Sequence, residues 1–390
     1  MDELLIAAAP GEWRAAWVED GDAVELYVDR GDTKPPGSVH LGRIARVAAA
    51  LDAALVDIGD ERPGFLPLRD VPVGAKAEEG ARIVVEVRRE AWADKAPRLT
   101  AKIAGREWVE MAAGREPPAQ LYPAPGLAPA LALRLPRRPG RVVADDAAIP
   151  GAIPGAILGE LRAAFPEAEI AIAASAAWPI DLDATFDAAL SPSLALDTGG
   201  TVHIEETQAA TLIDVDSGTP VRGSSARAAL AANRAAALAI ARELRRRNIG
   251  GAVVIDFVGL ARRDHREAVR RTLETALAGD PATPQALGWT RLGHFELLRP
   301  RRGRSLADAM LMPAGRERSP TALAHAALRQ LAREARANPA ANWRLTVAPA
   351  VGAALNGPAA AALRALETRL GRRIAIDVET GRDDFDIRPG

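Results

Sequence analysis

Two short apolar runs in the chain end in acidic residues: Thr211-Leu212-Ile213-Asp214-Val215-Asp216-Ser217-Gly218 and Ala252-Val253-Val254-Ile255-Asp256-Phe257. Two desolvated carboxylates brought close together repel unless a cation or a proton sits between them. An all-oxygen site that retains waters suits Mg²⁺ or Mn²⁺. The chemistry on offer is that of a two-carboxylate metal site, with Asp214 and Asp256 converging on one ion and Asp216 beside them. A second reading stays open, because Asp at a strand end commonly makes an Asx turn and Asp-x-Ser-Gly is good turn chemistry.

The elements that must position these carboxylates are legible around them. From Ser224 to Arg247 the sequence runs through Ala, Leu and Arg without Pro or Gly, so propensity favours a helix of several turns. Asn248 and the Gly250-Gly251 pair supply its stop. Each flanking run is short, apolar and partly β-branched, as expected of a buried strand. Strand, helix, strand reads as a crossover with parallel strands. Neighbouring strands lie about 4.8 Å apart, and open α/β sheets carry sites at the carboxyl ends of their strands.

Composition bounds the class. With 390 residues, 48% of them hydrophobic, the chain can form two or three domains with real cores. It has no cysteine, which excludes disulfides, thiolate zinc sites and Cys nucleophiles. No apolar stretch is long enough to span a bilayer, and Met1-Asp2-Glu3-Leu4-Leu5 lacks the basic start of a secretory signal, so a cytoplasmic location and no membrane partner are expected. The net charge of −1 leaves nucleic-acid binding to local patches, such as Arg242, Arg245, Arg246 and Arg247 or Arg299, Arg301, Arg302 and Arg304. The five histidines, His40, His203, His265, His294 and His325, show no helical metal spacing and read as structural or surface residues. Asp280 and Glu206 read as solvated acids. There is no phosphate loop and no Gly-x-Ser-x-Gly elbow.

The segment Gly199-Gly200-Thr201-Val202-His203-Ile204-Glu205-Glu206-Thr207-Gln208-Ala209, followed by Ile213 to Gly218, resembles the catalytic core of the ribonuclease E/G family. The resemblance continues through Asn233, Ile240-Ala241-Arg242-Glu243-Leu244-Arg245, Gly250-Gly251, Val254-Ile255-Asp256-Phe257, and Arg291-Leu292-Gly293 leading to Glu296 and Arg299. Upstream, Gly37-Ser38-Val39-His40-Leu41-Gly42-Arg43-Ile44, Ala53 to Gly59 and Gly64-Phe65-Leu66-Pro67-Leu68 resemble the family's OB-fold RNA-binding module. The resemblance implies a Mg²⁺-dependent endoribonuclease that cuts single-stranded RNA and leaves a 5′-phosphate, with Asp214 and Asp256 as catalytic metal ligands. Asn233, Arg242, Arg299 and Arg301 are the expected RNA contacts of the core, and Phe65, Lys34, Arg43, Arg46 and Arg62 those of the OB-fold module.

Departures from the family pattern carry their own expectations. Asp216 stands where the family usually has Asn, adding a third carboxylate that would bind metal or repel phosphate. The Pro-, Gly- and Ala-rich stretch from Gly114 to Gly155 carries no Arg-Thr-Ala-Gly-like sensor motif, and Thr283 aligns with the family's sensor Arg, so no discrimination of 5′-monophosphate ends is expected. Pro300-Arg301-Arg302-Gly303-Arg304 replaces the Cys-Pro-x-Cys zinc link, so the chain is expected to be a monomer, or a dimer by other contacts. Leu55, Ile58 and His40 replace aromatics of the module, and Phe65 could serve either RNA or the core.

The fold class expected is α/β plus β: ribonuclease-H-like and deoxyribonuclease-I-like catalytic subdomains with an inserted OB-fold module and a small C-terminal α+β unit. Residues 1–36 would give the hairpin of the ribonuclease-H-like part, with strands at Glu12 to Val18 and Ala23 to Val28 around Asp20-Gly21-Asp22. Residues 37–105 would form the OB-fold module, 106–155 a linker, 156–193 the return of the first subdomain, 194–305 the catalytic domain and 319–390 the tail. In the tail, strands are expected at Trp343 to Val347 and Arg373 to Val378, with a helix from Pro358 to Leu370. Alternatives from other classes are a non-catalytic RNA-binding protein of the same descent and a metal phosphodiesterase acting on something other than RNA.

Overall fold

The computed structural model describes residues 2–9, 11–31, 34–72, 77–91, 95–104, 107–123, 127–145, 156–218, 225–312 and 317–390. They form two compact units, one of Met1–Asp2, Ala15–Leu26 and Ser175–Ala322, the other of Glu3–Arg14, Tyr27–Ala174 and Leu323–Gly390.

The chain opens with β1 (Glu3–Ala9), β2 (Glu12–Glu19) and β3 (Asp22–Asp29). Asp20 and Gly21 both take positive φ, 50° and 88°, the backbone that a two-residue hairpin between right-twisted strands requires.

Five strands then close a small barrel: β4 (Val39–Ala48), β5 (Ala53–Asp57), β6 (Gly64–Pro67), β7 (Arg82–Arg89) and β8 (Arg98–Thr100). β4 pairs antiparallel with both β5 and β7, and β6 lies parallel to β8. Ile44, Val56, Leu66, Val85, Val87 and Leu99 fill the interior. A Cβ on Gly64 would collide with Leu99, so this position requires glycine.

Among its described residues, the stretch expected as a linker is mostly regular structure. It holds α1 (Glu107–Ala112), β9 (Ala119–Tyr122) alongside β4, α2 (Leu127–Arg134) and β10 (Arg141–Asp145). Residues 146–155 of that stretch lie outside the described residues. After it come α3 (Ala156–Ala164) and β11 (Glu169–Ile172). β10 pairs parallel with β1 and with β11, in the sheet order β11-β10-β1-β2-β3. The return of the first sheet thus starts at Arg141, earlier than expected. Val142, Val143 and Ala144 are buried, a β-branched run whose strand character was masked by the Pro and Gly around it.

Next come α4 (Leu182–Leu190), β12 (Ser193–Ala195), β13 (Thr201–Glu206), β14 (Thr211–Asp216), α5 (Ser225–Arg246), β15 (Gly251–Asp256), α6 (Arg263–Leu277), β16 (Gln285–Trp289) and β17 (Phe295–Arg299). The sheet runs β12-β13-β14-β15-β17-β16. Alternation divides its faces: Val202, Ile204, Ile213, Val215, Val253, Ile255, Phe295 and Leu297 pack with Ala236, Ile240, Leu244, Val269 and Leu273 of α5 and α6. The opposite face, with His203, Leu212, Asp214, Asp256 and Glu296, is exposed. Helix α5 ends as expected. Asn248 adopts a left-handed φ of 51°, and the Ile249 amide donates back to the Leu244 carbonyl at 2.9 Å, a Schellman closure.

After α7 (Leu306–Met310) the chain runs through α8 (Pro320–Ala337), β18 (Trp343–Val347), α9 (Pro349–Asn356), α10 (Ala360–Leu370), β19 (Ala375–Val378) and β20 (Phe385–Pro389). The single helix expected between β18 and β19 is two. Pro349 opens the extra one at a helical first position, where its missing N–H costs nothing. β20, absent from the sequence reading, pairs antiparallel with β18. The tail also joins the second compact unit: Glu12, fully buried on β2, pairs with Arg30 at 2.8 Å and with Arg329 of α8. Burial pushes the Glu12 carboxyl up, but Arg329, Arg30, His325 and Arg14 outweigh it and hold its pKa below the ordinary value.

Candidate active site

The crossover places the two carboxylates as their spacing required. β14 and β15 are adjacent and parallel, and their register sets Asp214 directly opposite Asp256. Both are exposed on the open face. They border a cleft of about 460 Å³ lined also by Asp216, Phe257, Val258, Leu260, Arg266, Trp289 and Leu292.

The floor of the cleft is aromatic. Phe257 and Trp289 have ring centroids 5.7 Å apart, Trp289 and Phe295 5.3 Å, and the Arg266 guanidinium lies 5.7 Å from the Trp289 ring. Arg266 also donates to the Leu260 carbonyl at 2.8 Å. The loop after Asp256 is clamped from α5, where Asn233, fully buried, donates to the Val258 carbonyl at 2.7 Å and accepts from the Val258 amide at 2.9 Å. Close backbone approach explains two glycines: a Cβ on Gly200 would strike the Asp216 carbonyl, and one on Gly218 the Gly199 carbonyl.

Asp216 follows the turn reading. Its Oδ1 accepts from the Gly218 amide at 2.9 Å, an Asx turn. Among the described residues no three His, Asp or Glu side chains stand together as a metal-ligand set. The structure therefore does not join Asp216 to Asp214 and Asp256 as a third ligand, and a cation here would rest on the facing pair.

Cross-strand register adds neighbours that the sequence reading missed. His203 on β13 stands opposite Asp214, and its Nδ1 is 2.9 Å from Ser193 Oγ. His294, in the loop just before β17, has its Nε2 3.8 Å from Asp256 Oδ2. These histidines were sought at helical spacing, whereas their partners are across strands. For His203 a local signal existed, since His203 and Asp214 flank the hairpin turn at Thr207 to Ala210 symmetrically.

The expected RNA contacts divide. Arg299 is buried, forks onto Asp280 at 2.7 and 3.1 Å, and donates to the Ile249 carbonyl at 2.8 Å. It braces the sheet edge, and Asp280 is its buried partner rather than a solvated acid. Asn233 is the loop clamp described above, with no face toward solvent. Arg242 is half exposed, 3.8 Å from Glu243, and Arg301 passes over Gly250 and Gly251, where a Cβ would meet it at 2.9 and 2.7 Å. Thr283 takes a left-handed φ of 51° in the loop before β16. Glu206 keeps much of its surface in solvent, yet its carboxyl end is surrounded; burial there pushes its pKa up to about 7 despite a hydrogen bond from Ser305.

On the barrel, register aligns Arg46, Leu55, Phe65 and Arg98 across four strands. Phe65 is half-buried on that outer row. Lys34 is bound to Asp60, Arg43 lies 3.6 Å from Glu116, and Arg62 is exposed in the loop before β6. His40, which replaces a module aromatic, is fully buried with Nε2 2.9 Å from Ser38 Oγ; burial lowers its pKa to about 4.

Fold and site define a class: an α/β protein with paired strand-end carboxylates on an open sheet face, joined in one chain to a small closed barrel. The model of the ribonuclease E/G family matches residues 172–302. Ribonuclease G of Salmonella typhimurium is 23% identical, with 99% of each chain covered. Ribonuclease E of Synechocystis is 27% identical over 80% of this chain and 59% of its own length, and ribonuclease E of Nostoc is 41% identical over 33% of this chain and 19% of its own. Residues 172–302 thus match the ribonuclease E/G family, and nearly the whole chain is similar to ribonuclease G. Its lack of cysteine rules out a thiolate zinc link, and among the described residues no helix is long and apolar enough to cross a membrane.

Proposed function

We propose that the protein is a divalent-metal-dependent endoribonuclease that cleaves single-stranded RNA and leaves 5′-phosphate ends. The observation that carries this is the facing of Asp214 and Asp256 on adjacent parallel strands, inside the span matched by the family model. The donor set fits a hard cation that keeps most of its waters: two exposed carboxylates about one strand spacing apart, open to a cleft. Mg²⁺ or Mn²⁺ bound there supplies an activated water and offsets charge on phosphate oxygens. Asp214 and Asp256 hold it, Asn233 fixes the loop beside it, and Arg266, Arg242 and Arg301 are the cationic groups of this unit that we assign to the RNA backbone.

We read the barrel as the OB-type module, since a first strand pairing with both second and fourth, and a third parallel to the fifth, is that topology. Single strands would lie on the row of Phe65, with Arg46 and Arg98 at its flanks and Arg62 and Arg43 nearby. The five-stranded and six-stranded sheets correspond to the ribonuclease-H-like and deoxyribonuclease-I-like subdomains. The lack of an Arg-Thr-Ala-Gly-like motif between Gly114 and Gly155, with Thr283 in the position of the family's sensor Arg, supports cleavage indifferent to the 5′ end, and a severalfold preference for 5′-monophosphate over 5′-hydroxyl RNA would refute that part.

The test is cleavage of a labelled AU-rich single strand with Mg²⁺, by wild type, Asp256→Ala and wild type with EDTA. Loss of cleavage in both controls, with 5′-phosphate products from wild type, supports the reading. RNA bound but uncut by wild type favours the non-catalytic alternative, and Asp216→Asn is then the reversion to try.

A further inference from the structure

We infer that Leu292, at the tip of the β16–β17 turn, is a specificity-determining wedge that lodges between the two bases flanking the scissile phosphate and so confines cutting to unpaired RNA. The inference rests on the proposed endoribonuclease reading of Asp214 and Asp256 and deepens it, by naming what selects the substrate.

Single exposed apolar side chains are ordinary on protein surfaces, but three observations set this one apart. Leu292 is 84% exposed, more than any other large hydrophobic among the described residues, whereas turns are normally left to Gly, Pro, Asn, Asp and Ser. It nevertheless borders the cleft that holds Asp214 and Asp256. The turn that carries it is also fixed. The Thr290 amide donates to the His294 carbonyl at 2.8 Å, the Gly293 amide to the Thr290 carbonyl at 3.2 Å and the His294 amide to Thr290 Oγ1 at 3.2 Å. Gly293 takes a left-handed φ of 95°, the backbone of a three-residue hairpin loop. At its foot Trp289 is anchored against Phe257 and Phe295, with ring centroids 5.7 and 5.3 Å away.

Register sets the turn beside the carboxylates. Ile255 pairs with Phe295, so the chain just before Phe295 passes the strand end where Asp256 stands, and His294 Nε2 lies 3.8 Å from Asp256 Oδ2. Leu292 is two residues further along the turn, at most about 7 Å of chain, within reach of the nucleotides on either side of a phosphate held at the carboxylates. An apolar side chain in that place makes little contact with the protein and has no charge to offer a phosphate. Its chemistry fits a base step, because Leu is among the side chains that proteins insert between stacked bases. Parting the two bases opens the phosphodiester to water approaching in line with the leaving oxygen. That parting is costly in a duplex and least so where the strand is already unpaired, so a wedge at the cut favours single strands.

The test uses the full chain with Mg²⁺ and an AU-rich RNA carrying 2-aminopurine beside the mapped cut, a base whose fluorescence rises on unstacking. In Asp256→Asn the fluorescence is expected to rise severalfold on RNA binding, and adding Leu292→Ser should abolish that rise while RNA affinity changes by less than about threefold. In the otherwise wild-type chain, Leu292→Ser should lower kcat on the single strand about tenfold, with KM and the thermal melt unchanged. Slow duplex cleavage should stay as it was, so that the single-strand preference narrows by the same factor. Leu292→Met should restore both the fluorescence and the rate. A fluorescence rise that survives Leu292→Ser, wild-type cleavage by that variant, or a loss in KM alone overturns the wedge and leaves the endoribonuclease reading intact. A wild type that binds RNA without cutting it removes that reading and the inference together.

Discussion

Two rows of side chains, drawn across neighbouring strands by register, make opposite surfaces. In the six-stranded sheet the row is His203, Asp214 and Asp256 on three strands, with His294 beside it in the loop before β17, acidic at its centre. In the barrel it is Arg46, Leu55, Phe65 and Arg98, apolar at its centre and cationic at its ends. The first repels a phosphate unless a cation neutralises it. The second attracts phosphate and offers a ring for a base to stack on. The device is the same, and the difference in residue type separates chemistry from grip.

That separation is best broken by exchanging the expected phenotypes. Asp256→Asn should lower kcat at least a thousandfold, about 4 kcal/mol of barrier, while filter binding of RNA stays within twofold and the thermal melt is unchanged, because the side chain is exposed. A loss expressed in KM alone would place Asp256 in binding.

Arg299 sharpens the contrast from inside the sheet. Breaking a buried, bidentate ion pair costs about 3–5 kcal/mol, so Arg299→Met should lower unfolding stability in urea by that order, with any loss of RNA affinity following the loss of fold. Unchanged stability with weakened RNA binding would return Arg299 to the interface.

The barrel carries a pH signature of its own. Burial takes His40 from 6.5 to about 4, so the folded barrel holds it neutral while the unfolded chain takes up a proton first as the pH falls. Stability should be full above about pH 6.5 and decline toward pH 4. At 1.36 kcal/mol per pH unit that lowering amounts to about 3 kcal/mol. Urea midpoints of wild type and His40→Leu across that window check it; equal acid slopes would refute it.

The smallest effect belongs to the grip. Phe65→Ala should weaken single-stranded RNA binding by about 1–3 kcal/mol with kcat on saturating substrate unchanged. Lys34→Ala should change it less than twofold, because that ammonium is already bound to Asp60. Equal losses in the two variants would make the barrel a diffuse cationic surface instead of a stacking row.

Legibility followed the same physics. The crossover around Asp214 and Asp256, the span of α5, the Asp20-Gly21 turn and β18 were readable because strand alternation, helix propensity and turn backbone are local properties. The strand Arg141–Asp145 was not, since its pairing with β1 links residues 138 positions apart and its neighbours look like a linker. Asn233 and Arg299 were expected at the RNA surface from the family resemblance. Whether a polar side chain meets solvent or Val258 and Asp280 depends on packing that no window of sequence contains.

By itself, then, the sequence determined which residues could do chemistry, the absence of thiols, and the strand–helix–strand unit that sets two aspartates at corresponding strand ends. Only the tertiary structure decided that Asp216 closes a turn, that His203 and His294 flank the carboxylates, and that Arg299 and Asn233 face inward. The physical reason is that register and burial are set by the sheet as a whole: each strand's neighbours come from distant segments, and a side chain's partner is whatever the closed sheet and its covering helices bring against it.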